Sequence, residues 1–314
     1  MKLFAGVTDN KWFNYLSGII PEDVNFWQPG GNVAFKSLDQ GAPFLFKLKS
    51  PLNVIGGVGF FSSHTFLPIS IAWDTFGVRN GCGSFEEFRR MILNYRKDKE
   101  NNNPNIGCIV LTNPVFFRRE DWVEVPSDWS KSIVQGKPYF TEDEIGSLLW
   151  ARVSLLLEKY LTTSETSVKE NQLTIGEPES PLYGKSILQK VRLGQGAFRV
   201  LVTDAYTRRC AITGEKTLPV LEAAHIKPYA SSGPHLISNA LLLRSDMHKL
   251  FDSGYITITK ENDVEVSKRI REEFENGREY YQYHGKKLLY LPTMQTDQPA
   301  TTFVEWHNAN VFKS

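Results

Sequence analysis

Two histidines with carboxylates close by give the chain its most chemically loaded stretch. His225 and His248 flank Asn239, Asp252 follows His248 by four positions, and Glu222 precedes His225 by three. Imidazole changes charge near neutral pH, so such a ring can take a proton from water or, when neutral, ligate a metal ion. Four-residue spacing on a helix puts His248 and Asp252 on one face. That makes Asp252 a candidate second ligand or a partner of His248, with a capping or surface aspartate as the plain alternative. Strand alternation places Glu222 on the face of Ala224, with a side chain long enough to reach an ion there.

The elements around these residues read as a strand, a loop and a helix. Val220–Ile226 is an expected strand that ends before Pro228, and Tyr229–Ser238, with Ser231-Ser232-Gly233-Pro234, is a loop. Arg244–Asp252 is a short helix closed by Gly254, and Tyr255–Ile258 is the strand after it. Upstream, Ile187 to Tyr206 has helical character, interrupted at Gly194-Gln195-Gly196. Net charge is only +1, so any nucleic-acid surface must be local. Between Tyr183 and Lys216 the basic residues Lys185, Lys190, Arg192, Arg199, Arg208, Arg209 and Lys216 face only Asp204 and Glu215. Such a run is by default a solvated face. Beside the histidines it makes Arg208, Arg209, Arg244 and His235 candidates for phosphate contact; for His235 a solvated loop position is the alternative.

The order Ala223-Ala224-His225-Ile226, then Asn239, then His248-x-Leu250-Phe251-Asp252, inside strand, loop and helix, resembles the HNH or ββα-metal nuclease family. The resemblance runs from Arg208 to Gly254. It implies phosphodiester hydrolysis with one divalent metal ion, Mg²⁺ or Mn²⁺, with Ni²⁺ or Co²⁺ as further candidates. It also implies His225 as general base, His248 as metal ligand, and Asn239 as the residue that orients the base or braces the loop. Ala224 departs from the pattern, because many relatives carry a metal ligand there. Glu222, or Asp252 with water, would complete the site; otherwise the site is inactive. His64, His284 and His307 show no partner pattern and read as structural or exposed. Cys210 stands where some relatives begin a zinc knuckle, but with no second cysteine nearby it reads as a small core residue, and no structural zinc is expected.

The first half is strand-rich. Leu3–Val7, Phe44–Lys49, Val54–Phe61, Ile69–Ala72 and Cys108–Leu111 are expected strands, with a turn at Pro51-Leu52-Asn53. Glycines 56, 57 and 59 inside one strand imply a bulge, strong curvature or a close backbone approach. Ser84 with Glu87 is a capping box, and Phe85, Phe88, Met91, Ile92 and Tyr95 give that helix its apolar face. Thr8-Asp9-Asn10 after the first strand, Trp27-Gln28, the strands Phe44–Lys49 and Val54–Phe61, and Trp73-Asp74 together resemble the EVE domains. These belong to the PUA-like group that includes the YTH and SRA readers of modified bases. The resemblance implies a pocket for one base turned out of a duplex. Trp27 and Trp73 are its wall candidates, and Asn10, Asp9, Gln28 and Asp74 its edge-reading candidates; Trp12 and Phe26 fit the core better. For any one tryptophan, core packing is the alternative.

A length of 314 residues fits two domains. The Ser/Thr/Glu-rich stretch after Tyr160 divides the chain into 1–160, a linker 161–181, and 182–314. The expected fold class is α+β: a PUA-like, EVE-type curved sheet or barrel with helices, then a ββα-metal HNH domain. Three dispersed cysteines without Cys-x-x-Cys suit a reducing cytoplasm, here bacterial. The strand-like start lacks a signal-peptide layout, and no apolar run nears a membrane span. Combining the resemblances gives a modification-dependent, type IV-like restriction endonuclease acting on double-stranded DNA with modified cytosine, such as 5-methylcytosine or 5-hydroxymethylcytosine. It would be a homodimer with no membrane partner. The alternatives are a reader of modified nucleic acid without nuclease activity, and a nuclease whose first domain binds another ligand.

Overall fold

The computed structural model describes residues 1–96, 100–169 and 193–314. Lys185, Lys190 and Arg192, the expected helical turns at 187–192 and the stretch 170–181 of the expected linker lie outside the described residues. The chain divides into two units, Met1–Gly194 and Gln195–Ser314. Among the described residues no helix is long and apolar enough to cross a membrane.

In the first unit, strands β1 (Lys2–Thr8), β2 (Asp23–Gln28), β3 (Pro43–Leu48), β4 (Val54–Pro68), β5 (Asn105–Phe116), β6 (Val123–Glu124) and β7 (Gly136–Phe140) form one sheet. Its order is β2-β5-β4-β3-β1-β7, with β6 paired to β4. β1 and β3 run parallel, and the other pairs are antiparallel. Helices α1 (Asn10–Ile19), α2 (Ile69–Phe76), α3 (Phe85–Tyr95) and α4 (Glu144–Lys169) complete the unit.

The strands are apolar at consecutive positions because both sheet faces are covered. Phe44, Phe46 and Leu48 of β3 pack with Trp12, Phe13 and Leu16 of α1. Leu45 points the other way and joins Leu3, Ala5 and, from α4, Leu149, Val153 and Leu157. The glycines of β4 have the reason their spacing suggested. A Cβ on Gly57 would fall 2.3 Å from the Val115 carbonyl oxygen, and the ladder shifts register at Phe46/Lys47, Val58/Phe60 and Phe61/Ser63. Such bulges bend a sheet.

Two expectations are corrected here. Ile69–Ala72 is the first turn of α2 and not a strand. Ile69, Ala72 and Phe76 are buried at helical spacing, and so short an apolar run fits either period until its continuation is packed. The stretch from residue 161, read as linker, continues α4 as far as Lys169. Its Ser, Thr and Glu residues are compatible with a helix, and no Gly or Pro interrupts the chain before Gly176.

The second unit opens with α5 (Gln195–Ala205), so the Gly194-Gln195-Gly196 interruption is a helix start. Strands β8 (Leu221–His225) and β9 (Ala240–Arg244) pair antiparallel, His225 opposite Ala240. Helix α6 (Ser245–Asp252) follows β9 directly. The hairpin of β10 (Ile256–Ile258) and β11 (Val264–Val266), then α7 (Arg269–Phe274), α8 (Arg278–Tyr281) and α9 (Thr301–Asn310), fill out the unit. The core joins Phe198, Val202 and Tyr206 to Leu241, Leu242, Met247 and Phe251. Cys210 is a small residue in that core, and its sulfur accepts the Thr213 and Arg244 amides at 3.4 and 3.3 Å. The whole is α+β.

Candidate active site

β8 and α6 bring the sequence-selected side chains to one cleft of about 600 Å³, whose lining includes Glu222, His225, His248 and Asp252. The burial pattern of β8 explains how. Leu221 and Ala224 are its two buried residues, which breaks strict alternation and turns Ala224 into the core, while Glu222 and His225 both line the cleft. Ala224 is thus packed into the core, while the longer Glu222 side chain reaches the cleft. An alanine at 224 takes nothing from the cleft, because that side chain points elsewhere.

His225 is half-buried, its ring stacked on Phe198 with centroids 4.1 Å apart at 12°. Its Nε2 lies 2.9 Å from His235 Nδ1. Burial first, and next the neighbouring His235, push the His225 imidazole down to about 4 against the pull of Asp252. The ring is therefore neutral at physiological pH, the form a proton acceptor requires.

His248 sits between two carboxylates: Nδ1 is 2.6 Å from Glu222 Oε2 and Nε2 is 3.2 Å from Asp252 Oδ2. Burial opposes its charge, but hydrogen bonds to Asp252 and Glu222, with their negative charge, outweigh it and raise its pKa. Two histidines in one cleft are thus tuned in opposite directions.

Asn239 is fully buried and its side chain holds the loop. Oδ1 accepts the Lys227 amide at 2.9 Å, and Nδ2 donates to the carbonyls of Lys227 and Pro234 at 3.0 and 2.9 Å. Of the two roles the resemblance implied for Asn239, the geometry matches bracing. A Cβ on Gly233 would fall 1.9 Å from the Lys227 carbonyl oxygen, so the loop closes only with glycine there.

The HNH endonuclease family matches residues 210–259. Those residues are an HNH endonuclease domain. No curated protein sequence matches the chain. Among solved structures the chain is similar to the ASCH protein of Zymomonas mobilis, with 8% identity and a TM-score of 0.33 over 48% of this chain and 94% of that one. A variant of that protein gives 8% and 0.34 over 48% and 98%. The modification dependent TagI restriction endonuclease gives 13% and 0.28 over 92% and 75%.

The HNH assignment implies a divalent metal ion. Among the described residues no three His, Cys, Asp or Glu side chains stand as a finished cage for one. The donor chemistry nevertheless fits. Each ring nitrogen of His248 faces one carboxylate, Nδ1 facing Glu222 and Nε2 facing Asp252. One nitrogen with its carboxylate therefore offers an imidazole–carboxylate pair that suits a divalent cation, while the other carboxylate orients the ring.

The remaining candidates of the HNH domain and its flank divide. Arg244 is held bidentate by Asp246 at 2.7 and 2.8 Å. Arg209 donates to the Tyr290 hydroxyl at 2.8 Å and lies over its ring, and Arg208 pairs with Asp204 at 3.2 Å. None of these arginines lines the cleft; Arg199, from α5, does. The structure adds Phe198 and Tyr229, the latter stacked on His235 at 4.7 Å and 14°. Their positions before and after the motif gave no chemical signal. His307 was read as structural or exposed. It is buried, donates from Nε2 to the Phe251 carbonyl at 3.1 Å, and also borders the cleft.

In the first unit a cavity of about 350 Å³ is lined by Asp9, Trp27 and Gln28 together with Trp12, Phe26, Lys49 and Tyr95. Trp27 is fixed by its Nε1–H, which donates to the Asn80 carbonyl at 3.0 Å. Asp9 caps α1 by accepting the Lys11 amide at 2.9 Å, and its other oxygen meets Lys49 Nζ at 3.2 Å. Burial would raise the Asp9 pKa, but Lys49 and the helix amides outweigh it and lower it.

Three expected members are absent from this lining. Trp73 packs on Phe85 and Phe88, because Ile69–Phe76 is a helix that turns it toward α3. Asp74, next on that helix, is exposed. Asn10 brackets the Lys49 backbone, accepting its amide at 2.9 Å and donating to its carbonyl at 3.3 Å. Lys49 and Tyr95 were missed because neither stands near the other pocket residues in sequence. Trp12 is a core residue and Phe26, half-buried, packs against that core, and both also line the cavity.

Proposed function

We propose that the chain is a modification-dependent restriction endonuclease: residues 1–160 read a modified cytosine turned out of double-stranded DNA, and residues 182–314 hydrolyse a phosphodiester nearby. The cavity at Trp27 carries the reader half. Aromatic walls stack on any base face, and polar groups at Asp9, Gln28 and Lys49 can meet a base edge. The EVE-like order of strands and tryptophans in the sequence supports the same reading.

In the cleft, His225 takes the proton of the attacking water. His248 with Asp252 or Glu222 would hold the divalent ion, the other carboxylate orienting the imidazole; when bound, the ion would polarise the phosphate and stabilise the leaving oxygen. Asn239 keeps the loop beside His225 in place. Arg199 lines the cleft where a phosphate would enter, and His235 lies against His225. One such site cuts one strand, so a double-strand break calls for two copies of the chain. The reading suits a bacterial cytoplasm, where foreign modified DNA arrives.

The test is digestion of matched plasmids with and without 5-methylcytosine or 5-hydroxymethylcytosine, in Mg²⁺ or Mn²⁺. Preferential cutting of a modified plasmid is expected; equal cutting of all would leave a general nuclease.

A further inference from the structure

A histidine used as a base must present a lone pair on the nitrogen that faces water, and the hydrogen bond at its other nitrogen decides which tautomer it holds. In many sites a buried amide or carbonyl does this. Here Asn239 is committed to the backbone of Lys227 and Pro234. The group on His225 Nε2 is instead His235 Nδ1, at 2.9 Å. One hydrogen lies between the two nitrogens. If His235 supplied it, His225 would carry its own hydrogen on Nδ1 and could not accept a proton there.

We infer that His235 is the positioning residue of the base: its Nδ1 accepts the Nε2–H of His225, which fixes the ring and leaves the lone pair on His225 Nδ1. This rests on the reading of His225 as general base. His235 is itself held. Tyr229 stacks on it at 4.7 Å and 14°, Phe198 lies against both imidazoles at 4.1 and 5.2 Å, and Asn239 Nδ2 ties down the carbonyl of Pro234, the residue before it. Asn239 therefore acts on the base at one remove, through the loop that carries His235. When His225 accepts the water proton on Nδ1, the ring becomes cationic and the Nε2–H···Nδ1 bond becomes charge-assisted. It is then stronger in the protonated state than before it.

The experiment compares His235→Ala, His235→Asn and His225→Ala with wild type on a DNA the wild type cuts. Asparagine places an oxygen two bonds from Cβ, where histidine has Nδ1, so it can accept the same hydrogen bond. His235→Ala is expected to lower kcat about 10- to 100-fold, the usual cost of losing a partner that orients an active group, with KM for DNA unchanged. His235→Asn is expected to recover most of that loss.

Wild-type kcat in His235→Ala overturns the inference, as does equal loss in both variants. So does a raised KM at unchanged kcat, which would make His235 a DNA contact. Full activity in His225→Ala removes the general-base reading itself, a separate failure.

Discussion

The cleft at His225 and the cavity at Trp27 are built from different kinds of sequence information. Every polar group of the cleft singled out by spacing comes from one stretch, Glu222 to Asp252, and two adjoining elements, β8 and α6, deliver it. The cavity draws Asp9, Trp27, Lys49 and Tyr95 from the start of α1, the end of β2, the end of β3 and the end of α3. A local site can be read from a motif because the geometry of one strand and one helix fixes its spacing. A site assembled across a sheet depends on strand order, which a single sequence does not print.

The two regions should respond differently to perturbation, and the largest contrast lies in the cleft. His248→Ala is expected to reduce cleavage about 10²- to 10³-fold, the scale of losing one group that stabilises transition-state charge. Binding of modified DNA should remain within a factor of a few, as read by a filter or gel-shift titration. A parallel loss of binding would merge the two regions into one.

Acid separates them next. His307 and His225 are neutral in the fold with pKa values down at about 4, chiefly through burial. The unfolded chain takes up those protons near 6.5, so their stability contribution is complete above that pH and is lost as pH falls from 6.5 toward 4. Asp9 has a lowered pKa, so its contribution is lost only below 3.8. Denaturant titration between pH 7 and 4 should therefore show a decline that His307→Gln makes shallower, by on the order of 3 kcal/mol for that group. An Asp9→Asn variant should keep the wild-type slope in that window.

In the cavity, Trp27→Ala is expected to weaken binding of modified DNA by about 1–3 kcal/mol, the worth of one base stack, with no change in the cutting rate of DNA already bound. Trp73→Phe should leave affinity unchanged, because Trp73 lies against Phe85 and Phe88 outside the cavity. The reverse result would restore the wall that the sequence suggested. Asn239→Ala is expected to destabilise the protein by about 1–3 kcal/mol in thermal or urea unfolding, since it strands buried backbone groups of Lys227 and Pro234.

Much of this was legible in the residues. The Val220–Ile226 strand, the loop with Gly233, the helix ended by Gly254 and the pairing of His248 with Asp252 follow from turn residues and helical spacing. The glycines of β4 announced curvature. What stayed hidden depended on the third dimension. Ile69–Ala72 has no period long enough to choose helix over strand. The burial of Ala224 needed the packing of β8 against the core, and the contact of His235 with His225 needed the path of the loop. The arginines illustrate the limit most plainly. Charge counting marked Arg209 and Arg244 as candidates for phosphate contact; in the fold they are partnered by Tyr290 and Asp246 and neither lines the cleft.

The central claim is that a neutral His225 and a cation held at His248 act on one scissile phosphate. Single-turnover cleavage of modified plasmid by His225→Ala, with Mg²⁺ or Mn²⁺ saturating and DNA binding checked in parallel, tests it most directly. The account predicts a fall of about 10²- to 10⁴-fold in rate with binding intact; a wild-type rate in this variant would contradict it.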